Sequence, residues 1–354
     1  MELPAIAAAA PTLTRRLIDP FIGGGSVLLA TPSEVEAEVN DASGDLIELY
    51  RAAQNQSAAF RIAASALAVT WDDLAGLALL YDDLGALFLR EGEESIEQAV
   101  VRHSARLGSL IDPVGRSVTA TFLGRAGGDL RAKFERMRKI ELELGQTLSA
   151  DDLLANIEGS IRSTIYMSIR SRYNAARLSA EWTPSRVADF FFLREFTFAA
   201  MFRFNARNEF NVPYGGITYN RKSLADKVGK MFAQSMVERL QNTRFSCEDF
   251  EPFLEEIAPG PADFVFVDPP YDSDFSAYDN MAFDGIDQRR LEATLARLPA
   301  RVMVVIKDTP AIRSLYNADR WHVEQAAKTY PWTIKSRNDR ETTHLTITNY
   351  DLEL

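Results

Sequence analysis

The chain has 354 residues, 46% hydrophobic and 25% charged, with a formal net charge of −11. That is room for one large or two ordinary soluble domains with a full core. The single cysteine, Cys247, excludes an internal disulfide framework, and with only His103, His322 and His344 beside it a zinc site is not expected. No apolar run approaches the length of a membrane span, and residues 1–10 lack the basic start of a signal peptide. The expectation is a cytoplasmic protein with no metal. Net negative charge argues mildly against nucleic acid, but phosphate binding depends on where the arginines and lysines gather.

After an Ala-rich helical start, Leu17-Ile18 reads as a short strand and Gly23-Gly24-Gly25 as a tight turn opening a helix. Glycine lets a ligand approach the backbone, and a helix N-terminus favours negative groups. The next strand, about 35–39, ends at Asn40-Asp41. An acid about 20 residues beyond a glycine turn is where α/β nucleotide folds hold a ribose hydroxyl. The dinucleotide fingerprint fails, because Leu28 stands where its third glycine belongs, and no Gly-Lys-Ser/Thr of a phosphate loop follows. A plain loop stays open as a reading of this turn.

Residues 44–54 carry a helical pattern, and 56–180 read as almost entirely helical, with 74–80 and 84–89 expected as a packed hairpin of helices. Beyond Arg102 the balance turns basic: Arg125, Arg131, Lys133, Arg136, Arg138, Lys139, Arg162, Arg170, Arg172 and Arg177. Helical spacing can place part of this set on one face, either as a solvated surface or as a phosphate contact. The stretch 190–220 is aromatic, polar and basic, and its Arg and Asn residues have the shape to read base edges. This helical block interrupts the α/β pattern and reads as an insertion.

Phe245 to Phe250 marks another strand end. Phe264-Val265-Phe266-Val267 is an apolar run long enough for a buried strand, and the two prolines of Asp268-Pro269-Pro270-Tyr271 must end it. In open α/β sheets, ligands sit at this carboxyl end of the strands. The chemistry suits methylation of a nucleobase amine, whose lone pair is drawn into the ring. A carboxylate and a proline-segment carbonyl can each accept one N–H, and the tyrosine can stack on the base. A simple strand-terminating turn is the alternative. Residues 301–306 form a further buried strand, and about 322–330 and 343–350, joined by the charged turn 335–340, read as an antiparallel edge hairpin.

In this order the motifs resemble the Dam-type adenine-specific DNA methyltransferases over roughly residues 13–55 and 186–354. The resemblance implies an α/β fold: a Rossmann-like mixed seven-stranded methyltransferase sheet with an antiparallel edge hairpin, plus a large helical insertion. Residues 1–55 and 236–354 would form the catalytic domain binding S-adenosyl-L-methionine, and 56–235 the mostly helical DNA-recognition domain. Asp19, Pro20, Phe21, Gly23 and Gly25 match the family's cofactor loop. Asp41 would hold the cofactor ribose, while Asp249 and Phe250 would meet its adenine. Asp268, Pro269, Pro270 and Tyr271 would be catalytic, acting on a flipped-out adenine of double-stranded DNA. Arg203, Asn205, Arg207, Asn211, Arg221 and Lys222 would contact the DNA; restriction-modification is among the family's settings.

Two departures stand out. No segment matches the family's Lys-Trp-Ala-Gly-Gly-Lys-like opening, which makes a catalytically impaired DNA-binding or regulatory homologue the alternative expectation. Ala199-Ala200 also replace the Asn-Gly of GATC-recognising members. Related motifs for cytosine or protein glutamine usually begin with Ser or Asn, so Asp268 favours adenine.

Overall fold

The computed structural model describes residues 2–11, 14–89, 95–179, 181–270, 277–278, 281–329 and 341–351. In chain order the first elements are α1 (Glu2–Ala9), β1 (Arg16–Asp19), α2 (Ser26–Ala30), β2 (Glu36–Asn40) and α3 (Gly44–Gln54). A run of helices follows: α4 (Ala58–Asp72), α5 (Ala78–Leu89), α6 (Ile96–Arg102), α7 (Ser104–Ile111), α8 (Arg116–Leu144), α9 (Ala150–Arg177), α10 (Pro184–Phe196) and α11 (Leu224–Met231). The chain then gives α12 (Gln234–Gln241), β3 (Thr243–Ser246), α13 (Phe250–Ile257), β4 (Phe264–Val267), β5 (Ala277–Tyr278), β6 (Met281–Ala282) and α14 (Gly285–Leu295). Last come β7 (Arg301–Lys307), α15 (Pro310–Leu315), β8 (His322–Thr329) and β9 (Glu341–Thr348). The chain divides into two compact units, Met1–Gln56 with Phe232–Leu354, and Ser57–Met231.

The first unit is built on a seven-stranded sheet of order β3-β2-β1-β4-β7-β9-β8. Strands β3, β2, β1, β4 and β7 run parallel, and β9 is antiparallel to both β7 and β8. This is the mixed sheet with an antiparallel edge pair that the motif order implies. All four residues of β4 are buried, as a central parallel strand covered on both faces requires. On one face Val265, Val267, Val302, Val304, Ile306, Leu345 and Ile347 meet Phe250, Phe253, Leu254 and Ile257 of α13, with Leu291 and Leu295 of α14. The i, i+3, i+4, i+7 spacing of the α13 residues makes that helix a lid for the sheet. From β1 the chain moves outward to β2 and β3, then returns to lay β4 on the other side of β1. The carboxyl ends of β1 and β4 therefore flank the switch point of the sheet, where this topology opens a crevice.

In the second unit α8, of 29 residues, packs against α9, of 28. Gly145, at φ +65°, ends α8 in the left-handed region, and the Ser149 side chain caps α9 through the Asp152 amide. The expected hairpin of helices at 74–80 and 84–89 is not formed. Asp73–Gly76 is a short 3₁₀ turn, and Ala78–Leu89 is one continuous helix. Tyr81-Asp82-Asp83 between the two apolar runs contains no glycine or proline to break the helix, which passes through. The Lys335-to-Arg340 turn lies outside the described residues, as does Tyr271.

Candidate active site

Asp19 closes β1 and is buried, and its carboxylate accepts the Phe21 amide at 3.0 Å, bending the chain as it leaves the strand. Burial pushes its pKa well above the ordinary carboxylate value. The Phe21 amide opposes that shift, and the Asp268 and Asp41 carboxylates reinforce it. Carboxylates at the ends of β2 and β4 thus act on the buried one that closes β1.

The glycine turn sits directly above. Gly23 and Gly25 have φ of +45° and +67°, conformations that side chains disfavour, and a Cβ on Gly25 would stand 2.5 Å from the Tyr50 hydroxyl. That hydroxyl donates to the Gly23 carbonyl at 3.1 Å, and its ring stacks on Phe245 with centroids 5.4 Å apart. Asp41 joins the turn to the second strand: one oxygen accepts the Gly23 amide at 3.0 Å, the other the Ser43 amide at 2.9 Å. Its neighbour Asn40, fully buried, donates to the Pro20 and Glu248 carbonyls and accepts the Glu248 amide. One side chain therefore ties the ends of β1, β2 and β3 together.

At the third strand end, Asp249 caps α13 by accepting the Glu251 amide at 3.0 Å. Arg290 of α14 donates to the same Asp249 oxygen at 2.8 Å and also to Glu251 and Asp287. These partners, Asp287 and Asp249 first, raise the guanidinium pKa further. Phe250 is buried against Phe21 and Phe283, with centroids 5.5 and 5.8 Å away, and the Arg290 guanidinium lies 5.0 Å from its ring centre. An aromatic wall beside a partly exposed carboxylate is a surface on which a flat heterocycle can rest.

Beyond β4, Asp268 is exposed, Pro269 buried and Pro270 half-buried. The Pro270 carbonyl accepts the side-chain amide of Gln288 at 3.3 Å. The described members of the cofactor and catalytic sets thus share one sheet edge in one unit. Sequence reasoning missed Tyr50, Gln288 and Arg290 and gave Asn40 no role. Only Asn40 carried a signal, as a second polar residue at a strand end.

The DNA set lies in the helical unit. There 203–211 folds back on itself, with Phe204 bridged to Phe210 and the Asn205 amide donating to the Glu209 carbonyl. Asn205 shapes this tip: its Oδ1 accepts the Arg207 and Glu209 amides and its Nδ2 donates to the Glu209 carboxylate. A row of α9 side chains braces the hairpin from below. Tyr166 and Arg170 donate to the Val212 carbonyl, Asn174 bonds both the amide and carbonyl of Phe210, and Arg177 donates to Asn208. Arg203, Arg207, Asn211 and Arg221 are exposed. Lys222 donates to the Glu195 carbonyl at 3.0 Å, and its ammonium lies 3.9 Å from the Tyr219 ring centre. The basic helices do not form one continuous face, because Arg162 and Arg172 turn inward. Arg162 pairs with Glu158, donates to the Trp71 carbonyl and stacks 4.7 Å over the Trp71 ring; Arg172 pairs with buried Asp189. Among the described residues no group of acidic, His or Cys side chains could hold a metal ion, and no helix is long and apolar enough to cross a membrane.

Comparison with known proteins adds a family match. The model of the D12 class N6 adenine-specific DNA methyltransferases matches residues 2–74 and 146–330. The chain is 29% identical over 209 residues to the type II methyltransferase M1.LlaDCHI of Lactococcus lactis subsp. cremoris, covering 56% of this chain and 70% of that protein. It is 32% identical over 171 residues to the retron Ec67 DNA adenine methylase of Escherichia coli, covering 47% and 56%. To a DNA adenine methylase of Vibrio cholerae it is 24% identical over 270 residues, covering 70% and 90%.

Proposed function

The chain belongs to the D12 class N6 adenine-specific DNA methyltransferases, and we propose that it carries a methyl group from S-adenosyl-L-methionine to the exocyclic amine of adenine within a specific sequence of double-stranded DNA, acting in the cytoplasm. The observation that supports the site assignment is the glycine turn at the carboxyl ends of adjacent strands β2, β1 and β4, where Asp41 accepts the Gly23 amide and Asp19 the Phe21 amide, each at 3.0 Å.

The residues fit the cofactor. The glycine turn offers backbone with no side chain above Gly23, where an added Cβ would meet only the Phe21 carbonyl oxygen at 3.7 Å. Asp19, Pro20, Phe21, Gly23 and Gly25 would line the methionine end, Asp41 the ribose, and Asp249 with Phe250 the adenine. When bound, the sulfonium supplies an electrophilic methyl group, which the adenine nitrogen takes as it releases a proton.

The chain's own work is positioning and electrostatics. The adenine must leave the base stack, since its amine is inaccessible to in-line attack within the duplex. Asp268, exposed at the end of a rigid strand, accepts one amine N–H; the Pro269 carbonyl accepts the other; Tyr271 stacks on the base. Pulling both N–H bonds aside turns the nitrogen lone pair out of the ring. In the helical unit Asn205 holds the hairpin tip that presents Arg203 and Arg207, and Asn211, Arg221 and Lys222 add polar contacts to DNA.

Sequencing that detects modified bases in DNA from cells expressing the protein tests this reading. N6-methyladenine at one short sequence is expected. Unmodified adenine throughout, with calorimetry showing DNA affinity but none for S-adenosyl-L-methionine, would instead favour a binding protein without catalysis.

A further inference from the structure

Gln288 lies in the first turns of α14, a helix started by a capping box between Asp284 and Asp287. It is only 3% exposed, and an amide in that setting has four hydrogen-bonding capacities to satisfy. Its Nε2 donates to the Pro270 carbonyl at 3.3 Å, while its Oε1 is buried without a donor among the described residues. An apolar side chain of the same shape would avoid that uncompensated acceptor but leave the Pro270 carbonyl without this donor, so the two effects on stability oppose each other. The platform is fixed: Arg290, two residues on, bonds Asp249, Glu251 and Asp287, and the Trp321 indole donates to Glu292 at 3.0 Å.

The backbone it touches is stiff, with soft torsions only at its two ends. The proline rings lock φ at Pro269 and Pro270. Asp268 and Pro269 each precede a proline, which confines their ψ to the extended region. Neither proline has an N–H with which to fix itself. The remaining soft torsions are φ of Asp268, at the strand end, and ψ of Pro270, which aims the carbonyl Gln288 holds.

We infer that Gln288 is a positioning residue for methyl transfer, whose side-chain amide pins the soft torsion at the far end of the Asp268-Pro269-Pro270 segment. This rests on that segment being catalytic, as proposed above. Full-length Gln288→Met is the test, with a radiolabelled methyl group on S-adenosyl-L-methionine and unmethylated genomic DNA as substrates. A fall in kcat of about ten- to a hundred-fold is expected, with KM for the cofactor unchanged and Tm little changed, because loss of the orphaned acceptor offsets loss of the bond to Pro270. Should that variant not fold, Gln288→Asn keeps the amide but shortens its reach, and a lower kcat at unchanged KM is again expected. Wild-type kcat in a folded variant, or a kcat loss matched by a fall in Tm, overturns the inference. Asp268→Ala run in parallel separates the two levels: transfer surviving there overturns the site itself, whereas its loss beside a fully active Gln288→Met overturns only the role of Gln288.

Discussion

In the sheet unit, polar side chains collect where strands stop, whereas in the helical unit several of the arginines close on the unit itself. Asp19, Asp41, Asp249 and Asp268 stand at the ends of β1, β2, β3 and β4, and two of them, Asp19 and Asp41, also hold the glycine turn in place. Arg162, Arg170, Arg172 and Arg177 instead serve Trp71, Val212, Asp189 and Asn208. A parallel sheet exposes its strand ends together, so acids there converge without being told to by neighbours in sequence. A helix spreads its charges around a cylinder, and which of them face inward depends on what packs against it. Charge at a strand end is therefore a better guide to chemistry than charge along a helix.

The largest effect tests the inward arginines. Arg162→Met leaves Glu158 and the Trp71 carbonyl without their cation and should cost about 3–5 kcal/mol, read as a lowered melting temperature. Loss of DNA affinity at an unchanged melting temperature would mean that Arg162 belongs to a phosphate-binding face after all.

Next comes an ion pair in the sheet unit away from the strand ends that carry the site. Asp263, just before β4, pairs with Arg16, which opens β1, at 2.6 Å. Burial raises the Asp263 pKa, but the Arg16 guanidinium and the Gly260 amide outweigh it and hold the group below its ordinary value. A carboxyl depressed in the folded state stabilises fully above its unfolded pKa, about 3.9, and loses that contribution as pH falls through the folded value. Asp263→Asn should therefore cost about 3 kcal/mol at neutral pH, with the gap to wild type closing on acidification below about pH 4. Its kcat should match wild type; a selective loss of kcat would extend the site to the amino ends of the strands.

The smallest effect concerns the hairpin. Arg207→Ala, at an exposed tip, should weaken DNA binding about five-fold and reduce the slope of affinity against salt by about 1. Fluorescence anisotropy over a salt series measures both. An unchanged slope would remove this tip from the DNA-contacting surface.

The strands were readable because apolar runs such as 264–267 stop at prolines or acids, and the glycine turn because no other residue suits its backbone. The family order then implied one cofactor at those ends. The hairpin brace was not readable: Asn174 and Phe210 are 36 residues apart, and nothing local marks an asparagine in mid-helix as a partner for a distant strand. Asn205 reads as a DNA contact, and nothing in the sequence marks the bonds its side chain makes within its own turn. Gln288 and Arg290 looked like ordinary helix residues, because their partners come from other strand ends. Long-range polar pairing leaves little periodic trace.

The most direct measurement is single-turnover methyl transfer by Asp268→Ala at saturating DNA and S-adenosyl-L-methionine. A loss on the order of 10²–10⁴-fold is expected, with DNA affinity and melting temperature little changed, because Asp268 is exposed and, in the proposed mechanism, would act on the substrate amine. Transfer at the wild-type rate would contradict the account and move the chemistry away from the β1/β4 switch point.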